Sequence, residues 1–233
     1  MGRLSQSMTD SIVLISLPFL GACFGYLIAR FLLLRLPQFQ SLLLAFSGAF
    51  LLAVVFFELL PEIYSNADFT PGYWIIGGII LQIGLEFFSK GVEHGHTHSH
   101  NHQQFPLLIL LSLGIHAFLE GLPLDAHPSL AIGMFIHKVP IAISLFSLLN
   151  QYTISNFNRF GALLGFALLT PLGGILGKNI LLNEETLGII TALVIGLLLH
   201  IATTILFESN EGHRLKSNKF LSILLGFLIG SLL

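Results

Sequence analysis

The stretch FPLLILLSLGIHAFLEGLPL, residues 105–124, decides how the chain is to be read. It is long enough for a helix to cross a bilayer, which takes about 20 mostly apolar residues. Yet it carries an imidazole and a carboxylate, His116 and Glu120, well inside its length. A charge at the centre of a membrane helix costs about 2.5–3.5 kcal/mol on insertion scales, so such a group marks a functional site unless a partner accounts for it. The two residues stand one helical turn apart and share a face, which Ser112 extends by another turn. Gly114 and Gly121 leave room for close neighbours, and Pro123 loosens the backbone beyond them.

The rest of the chain has the same character. Hydrophobic residues make up 54% of the 233 and charged residues 9%, and the mean hydropathy is +0.86. That composition excludes an ordinary soluble domain and points to an integral membrane protein in the lipid bilayer. Eight apolar segments follow one another, at about 11–34, 39–60, 71–89, 105–124, 128–149, 160–177, 186–207 and 218–233. The fold class expected is therefore all-α and polytopic, with eight transmembrane helices in a single domain over 1–233. The first segment is too long for a signal-peptide core and is read as a transmembrane helix. Short polar stretches such as PQFQ, LDAHPS and NEET between the segments are turns. A net charge of −2 gives no sign of a nucleic-acid partner, and the single cysteine, Cys23, excludes an intramolecular disulfide and a cysteine-based metal site.

Orientation follows from Lys and Arg. Arg30 and Arg35, then Lys90, Arg159, and finally Arg214, Lys216 and Lys219 fall in the odd-numbered loops; Glu62, Asp68, Asp125, Glu184 and Glu185 fall in the even ones, with Lys178 the exception. The odd loops are expected on the cytoplasmic side of a plasma or inner membrane and both termini outside. One odd loop, residues 91–104, contains VEHGHTHSHNHQQ, with His94, His96, His98, His100 and His102 at every second position. Alternating imidazoles on a polar, unpacked segment can wrap a transition-metal ion loosely, which suits a loop that handles or senses metal.

The fifth segment repeats the feature that opened the fourth. MFIHKVPIA places His137 and Lys138 near its middle with Pro140 after them. Two imidazoles and one carboxylate from adjacent helices make a first shell for a divalent transition metal that keeps exchangeable positions. Three functions are open to such a constellation: transport, water activation by an intramembrane metalloenzyme, or metal sensing without flux. Against the enzyme, no H-E-x-x-H pair occurs on one helix, and no extra carboxylate is set aside as a base. A weak internal echo links GAFLLAVVFFELLPE at 48–62 with GLLLHIATTILFESNE at 196–211, as an inverted repeat around the fourth and fifth helices would.

At these residues the chain resembles the ZIP family of divalent metal transporters. HAFLEG in the fourth segment and HKVP in the fifth carry the likeness, supported by the eight-helix layout and the His-rich loop between helices three and four. The resemblance implies transport of Zn2+, with Fe2+, Mn2+ or Cd2+ as alternatives, into the cytoplasm through a midplane site. It implies His116, Glu120 and His137 as metal ligands, and it places Glu58 and Glu62 of FELLPE near the mouth of the pathway. Three positions depart from the pattern of binuclear members: Ala117, Lys138 and Ile141 stand where polar or acidic ligands would build a second site. A single metal site is therefore expected, with Lys138 as a charge that tunes it or pairs with Glu120. Ser112, His200 and Thr204 are further candidates to line the path, whereas Gln82 and Glu86 fall toward a helix end, where interfacial solvation is expected. A homodimer is a candidate assembly.

Overall fold

The structure, a computed structural model, describes residues 2–31, 37–66, 69–89, 106–180, 183–208 and 217–233. Helix α1 spans Gly2–Phe31. Helix α2 (Pro37–Val54) passes through a π-helical turn (Val55–Leu59) into α3 (Leu60–Asn66), so the three form one interrupted rod. Then come α4 (Pro71–Ser89), α5 (Leu107–Gly121), α6 (Pro128–Leu149), α7 (Asn156–Ile180), α8 (Glu184–Glu208) and α9 (Ser217–Gly230). Among the described residues there is no strand. Backbone hydrogen bonds closed within each segment are what a bilayer demands, because lipid cannot satisfy them.

Six of these rods are long and apolar enough to cross a membrane, while Leu107–Gly121 and Ser217–Gly230 are shorter. At about 1.5 Å per residue, α5 extends about 22 Å, less than a hydrocarbon core of about 30 Å. The segment expected over 105–124 thus yields a shorter helix. Pro123 has no N–H with which to continue the ladder, and the chain turns instead, with Leu124 donating to the Gly121 carbonyl and Ala126 to that of Pro123. Pro128 then opens α6, at a position where a missing N–H is harmless. At the other extreme, α1 starts nine residues before the expected 11, its polar first turns being helical too.

Packing is pairwise: α1 lies on α6, α2 on α9, α4 on α8 and α5 on α7, with α2 also against α6 and α8. Lipid gives no hydrophobic drive between helices, so small residues that let backbones touch must supply it. A methyl on Gly196 would collide with the Ile75 carbonyl, and one on Gly173 with that of Phe118. Helix α6 is the most enclosed, buried without a break from His137 to Leu145. One apolar cluster around Phe50, Met134 and Leu198 joins α2, α6 and α8; another around Leu113, Leu145 and Phe166 joins α5, α6 and α7. Large apolar side chains face outward, among them Ile80, Phe87 and Leu108, as contact with lipid requires.

Candidate metal centre

Helices α5 and α6 meet at their polar residues. His116, Glu120 and His137 each bring one ligand-type atom into a group whose members all lie within 4.8 Å of one another. All three are buried, at 1%, 0% and 0% exposure. The i, i+4 spacing on α5 sets His116 Nε2 2.8 Å from Glu120 Oε1.

Gln82 of α4 determines which tautomer His116 uses. With the amide oxygen turned to the ring, 3.2 Å from Nδ1, a neutral His116 donates from Nδ1–H to Gln82 Oε1 and its Nε2 lone pair faces the carboxylate oxygen. Two acceptors 2.8 Å apart repel, and neither atom forms a hydrogen bond among the described residues. A cation between them relieves this, as does turning the Gln82 amide end for end, which moves the imidazole proton to Nε2 and directs it at Glu120. The first arrangement is the one that metal-binding imidazoles adopt, with the outer ring nitrogen anchored on a carbonyl. The donor set, two imidazoles and one carboxylate, suits zinc and its neighbours.

Lys138 occupies the other oxygen. Its Nζ donates to Glu120 Oε2 at 2.5 Å, with both side chains buried, and stands 5.1 Å over the Phe166 ring. The carboxylate is therefore shared between an imidazole and an ammonium in a dry interior. Of the two roles considered for Lys138, pairing with Glu120 is the one seen here.

The sequence model of the ZIP zinc transporter family matches residues 91–233, which include α5 to α9. The chain belongs to the ZIP family. A comparison with curated proteins gave no match. Divalent-metal transport across a membrane is what this membership implies, and ZIP proteins are transporters, not enzymes.

Two further histidine–carboxylate pairs occur among the described residues of this ZIP chain. At the end of the bundle where α6 begins, His127 Nδ1 is 3.1 Å from Glu62 Oε2, and His127 Nε2 is 3.2 Å from Thr191 Oγ1. These line a cavity of about 510 Å³ together with Glu184 and Glu185. On the far side of Gln82, one turn along α4, Glu86 Oε2 lies 2.6 Å from His200 Nε2 of α8. Glu86, expected to be solvated at an interface, is instead paired and about one-fifth exposed.

Other candidates are placed as follows. Ser112 is buried and its hydroxyl donates to the Leu85 carbonyl, tying α5 to α4. Thr204 donates to the carbonyl of His200 within its own helix, at 2.8 Å. Glu58 lies half-buried in the π-helical turn, a distortion often found at functional sites, and is not in the group around His116. His94, His96, His98, His100 and His102 lie outside the described residues. Gln82, expected like Glu86 at a solvated helix end, is instead fully buried, and sequence reasoning did not single out His127 or Thr191. A lone glutamine in an apolar run was the available signal for Gln82; His127, in the turn before α6, carried none.

Proposed function

We propose that this ZIP protein carries Zn2+, or an ion of similar ligand preference, into the cytoplasm through one site made by His116, Glu120 and His137. The observation that carries this reading is the meeting of those three side chains from α5 and α6 in the buried interior. Burying them without purpose would be costly.

Counting the interrupted rod α2–α3 as one, the helices make eight spans, and the positive-inside distribution puts both termini outside and the 91–104 loop in the cytoplasm. In that topology the Glu62–His127 cavity is the outer mouth, where paired carboxylate and imidazole collect a hydrated cation. The ion then loses water and reaches the central group, where the lone pairs of His116, His137 and Glu120 replace its hydration. To bind, it must displace the ammonium of Lys138 from Glu120. Rocking of the bundle opens the site inward, past Glu86 and His200, and the five loop histidines receive the ion. The chain acts as one transmembrane domain over 1–233.

Part of the helix pairing fits an inverted repeat behind this motion, while the α2–α6 and α4–α5 contacts have no comparable counterpart in α8–α5 and α9–α6. Exchanging α1 with α7, the α2–α3 rod with α8, α4 with α9 and α5 with α6 turns the α1–α6 contact into α7–α5, and α2–α9 into α8–α4. Two halves related in this way put their shared site near the midplane.

Zinc flux into proteoliposomes tests the reading. His116→Ala and Glu120→Ala should abolish uptake with the protein still folded in the membrane. Normal flux through well-incorporated Glu120→Ala would overturn the site.

A further inference from the structure

The bundle has a second cavity of about 690 Å³ at the end opposite the Glu62–His127 mouth, where α1 and α6 end and α7 begins. None of the groups that handle metal reaches it. Two guanidiniums line it, those of Arg30 in the last turn of α1 and Arg159 in the first turn of α7, along with Asn150 and Asn156. Among the described residues neither arginine has a carboxylate within ion-pair distance. Arg159 is nonetheless held in place: Nη1 donates to Asn156 Oδ1 at 2.7 Å and Nε to the Leu149 carbonyl at 3.4 Å. Its remaining N–H groups stay available.

The walls are apolar. Tyr26 packs edge-on against Phe146 and Phe160. Phe157, 83% exposed, and Phe160, 50% exposed, stand beside Arg159 on the outer surface of α7, which continues into apolar helix. Two cations without counter-ions at the end of a membrane bundle, with exposed aromatic rings next to them, match an amphiphile: a phosphate on the arginines and acyl chains along the rings.

We propose that this cavity binds the headgroup of an anionic glycerophospholipid of the phosphatidylglycerol type, its phosphate bridging Arg30 and Arg159 and the hydroxyls of its headgroup glycerol meeting Asn150 and Asn156. Charge complementarity selects an anionic lipid over a zwitterionic one, and the aromatic rim selects a lipid over free phosphate. In the topology proposed above this end is cytoplasmic, the leaflet face on which basic pockets between helices take such headgroups.

Native mass spectrometry of the full chain, released from micelles with equal phosphatidylglycerol and phosphatidylcholine, tests this. The expected result is one retained phosphatidylglycerol per chain, favoured about thirtyfold over phosphatidylcholine, as two near-surface arginines imply. Arg30→Gln with Arg159→Gln should reduce the preference to about unity. Millimolar glycerol 3-phosphate should not displace the lipid. A preference that survives the double variant would overturn the proposal, as would displacement by glycerol 3-phosphate, which would assign the cavity to a free phosphate. If the double variant does not fold, wild-type protein decides alone: a photoreactive phosphatidylglycerol headgroup should label residues 26–30 or 150–160, and labelling elsewhere only would refute the site.

Discussion

Replacing Lys138 by Met should weaken the metal-free protein and strengthen its response to zinc. In the structure the ammonium and Glu120 Oε2 are 2.5 Å apart, with exposures of 2% and 0%. Removing one partner of such a buried pair leaves an uncompensated charge and costs about 3–5 kcal/mol. For a chain of this length that lowers the unfolding temperature by on the order of 10 °C. Zinc faces the opposite situation. An ammonium kept about 5 Å from a divalent ion would repel it by about 7 kcal/mol at an effective dielectric constant of about 20. That exceeds the roughly 2 kcal/mol by which the Phe166 ring, over which the ammonium already stands, holds it there. The lysine must therefore swing away for the ion to bind, and its removal should tighten binding.

Thermal unfolding of purified protein, in chelator and in saturating zinc, separates these effects. Lys138→Met should be destabilised in chelator and recover most of the loss in zinc, since zinc at a hundred times its dissociation constant adds about 2.7 kcal/mol. Glu120→Gln should be destabilised and gain nothing from zinc, because Lys138 is then the orphan and the anionic ligand is gone. The double variant should be close to wild type in chelator, because neither charge remains. A Lys138→Met protein as stable as wild type in chelator, or unrescued by zinc, would refute the reasoning.

Gln82→Leu should raise the zinc dissociation constant about 10- to 100-fold while leaving expression intact, and Gln82→Glu, which keeps an acceptor for His116 Nδ1, should restore most of it; calorimetry decides. His127→Ala should raise the KM of zinc uptake and leave the maximal rate unchanged, and a fall in maximal rate alone would remove His127 from the outer mouth. Converting His94, His96, His98, His100 and His102 to Ser should preserve flux. Metal analysis of that protein should return one tightly held ion per chain, and two would restore a second site.

How much of this the sequence disclosed depends on whether the cause was local. Hydropathy alone locates the helices, since a run of apolar residues in lipid has no alternative to a helix. The fourth segment is the exception: its apolar pattern runs to Leu124, but its hydrogen bonds stop at Gly121 because of Pro123. The central group was legible because His116 and Glu120 lie on one helix at a spacing that fixes their relation. Gln82 was not. Counted along α4 it lies seven residues from Ser89, which reads as shallow, but α4 packs on α5 and α8, and those neighbours bury it. The pairs Glu62–His127 and Glu86–His200 each join residues far apart in the chain, and nothing in the sequence selects those partners. Lys138 was open between two roles for the same reason, since only the fold brings its side chain on α6 to Glu120 on α5.

The charges around Glu120 also limit what the site can hold. Lys138 and Glu120 cancel, so the pocket is neutral before an ion arrives. A divalent ion held by two neutral imidazoles and one carboxylate leaves one net positive charge if the ammonium departs, and two if it stays. A second ion would bring the total to at least three in a pocket where Ala117 and Ile141, both buried, offer no oxygen or nitrogen ligand. Because Lys138 follows His137 directly, its Cα cannot leave the site, and only its four-carbon stem can carry the ammonium aside. Lys138→Asp reverses the sign at that position and adds a carboxylate next to His137. It should therefore raise the bound metal from one ion toward two in loop-substituted protein, while Lys138→Met holds at one. If Lys138→Met bound two ions, the ammonium charge alone, and not the lack of ligands at Ala117 and Ile141, would be what keeps the site single.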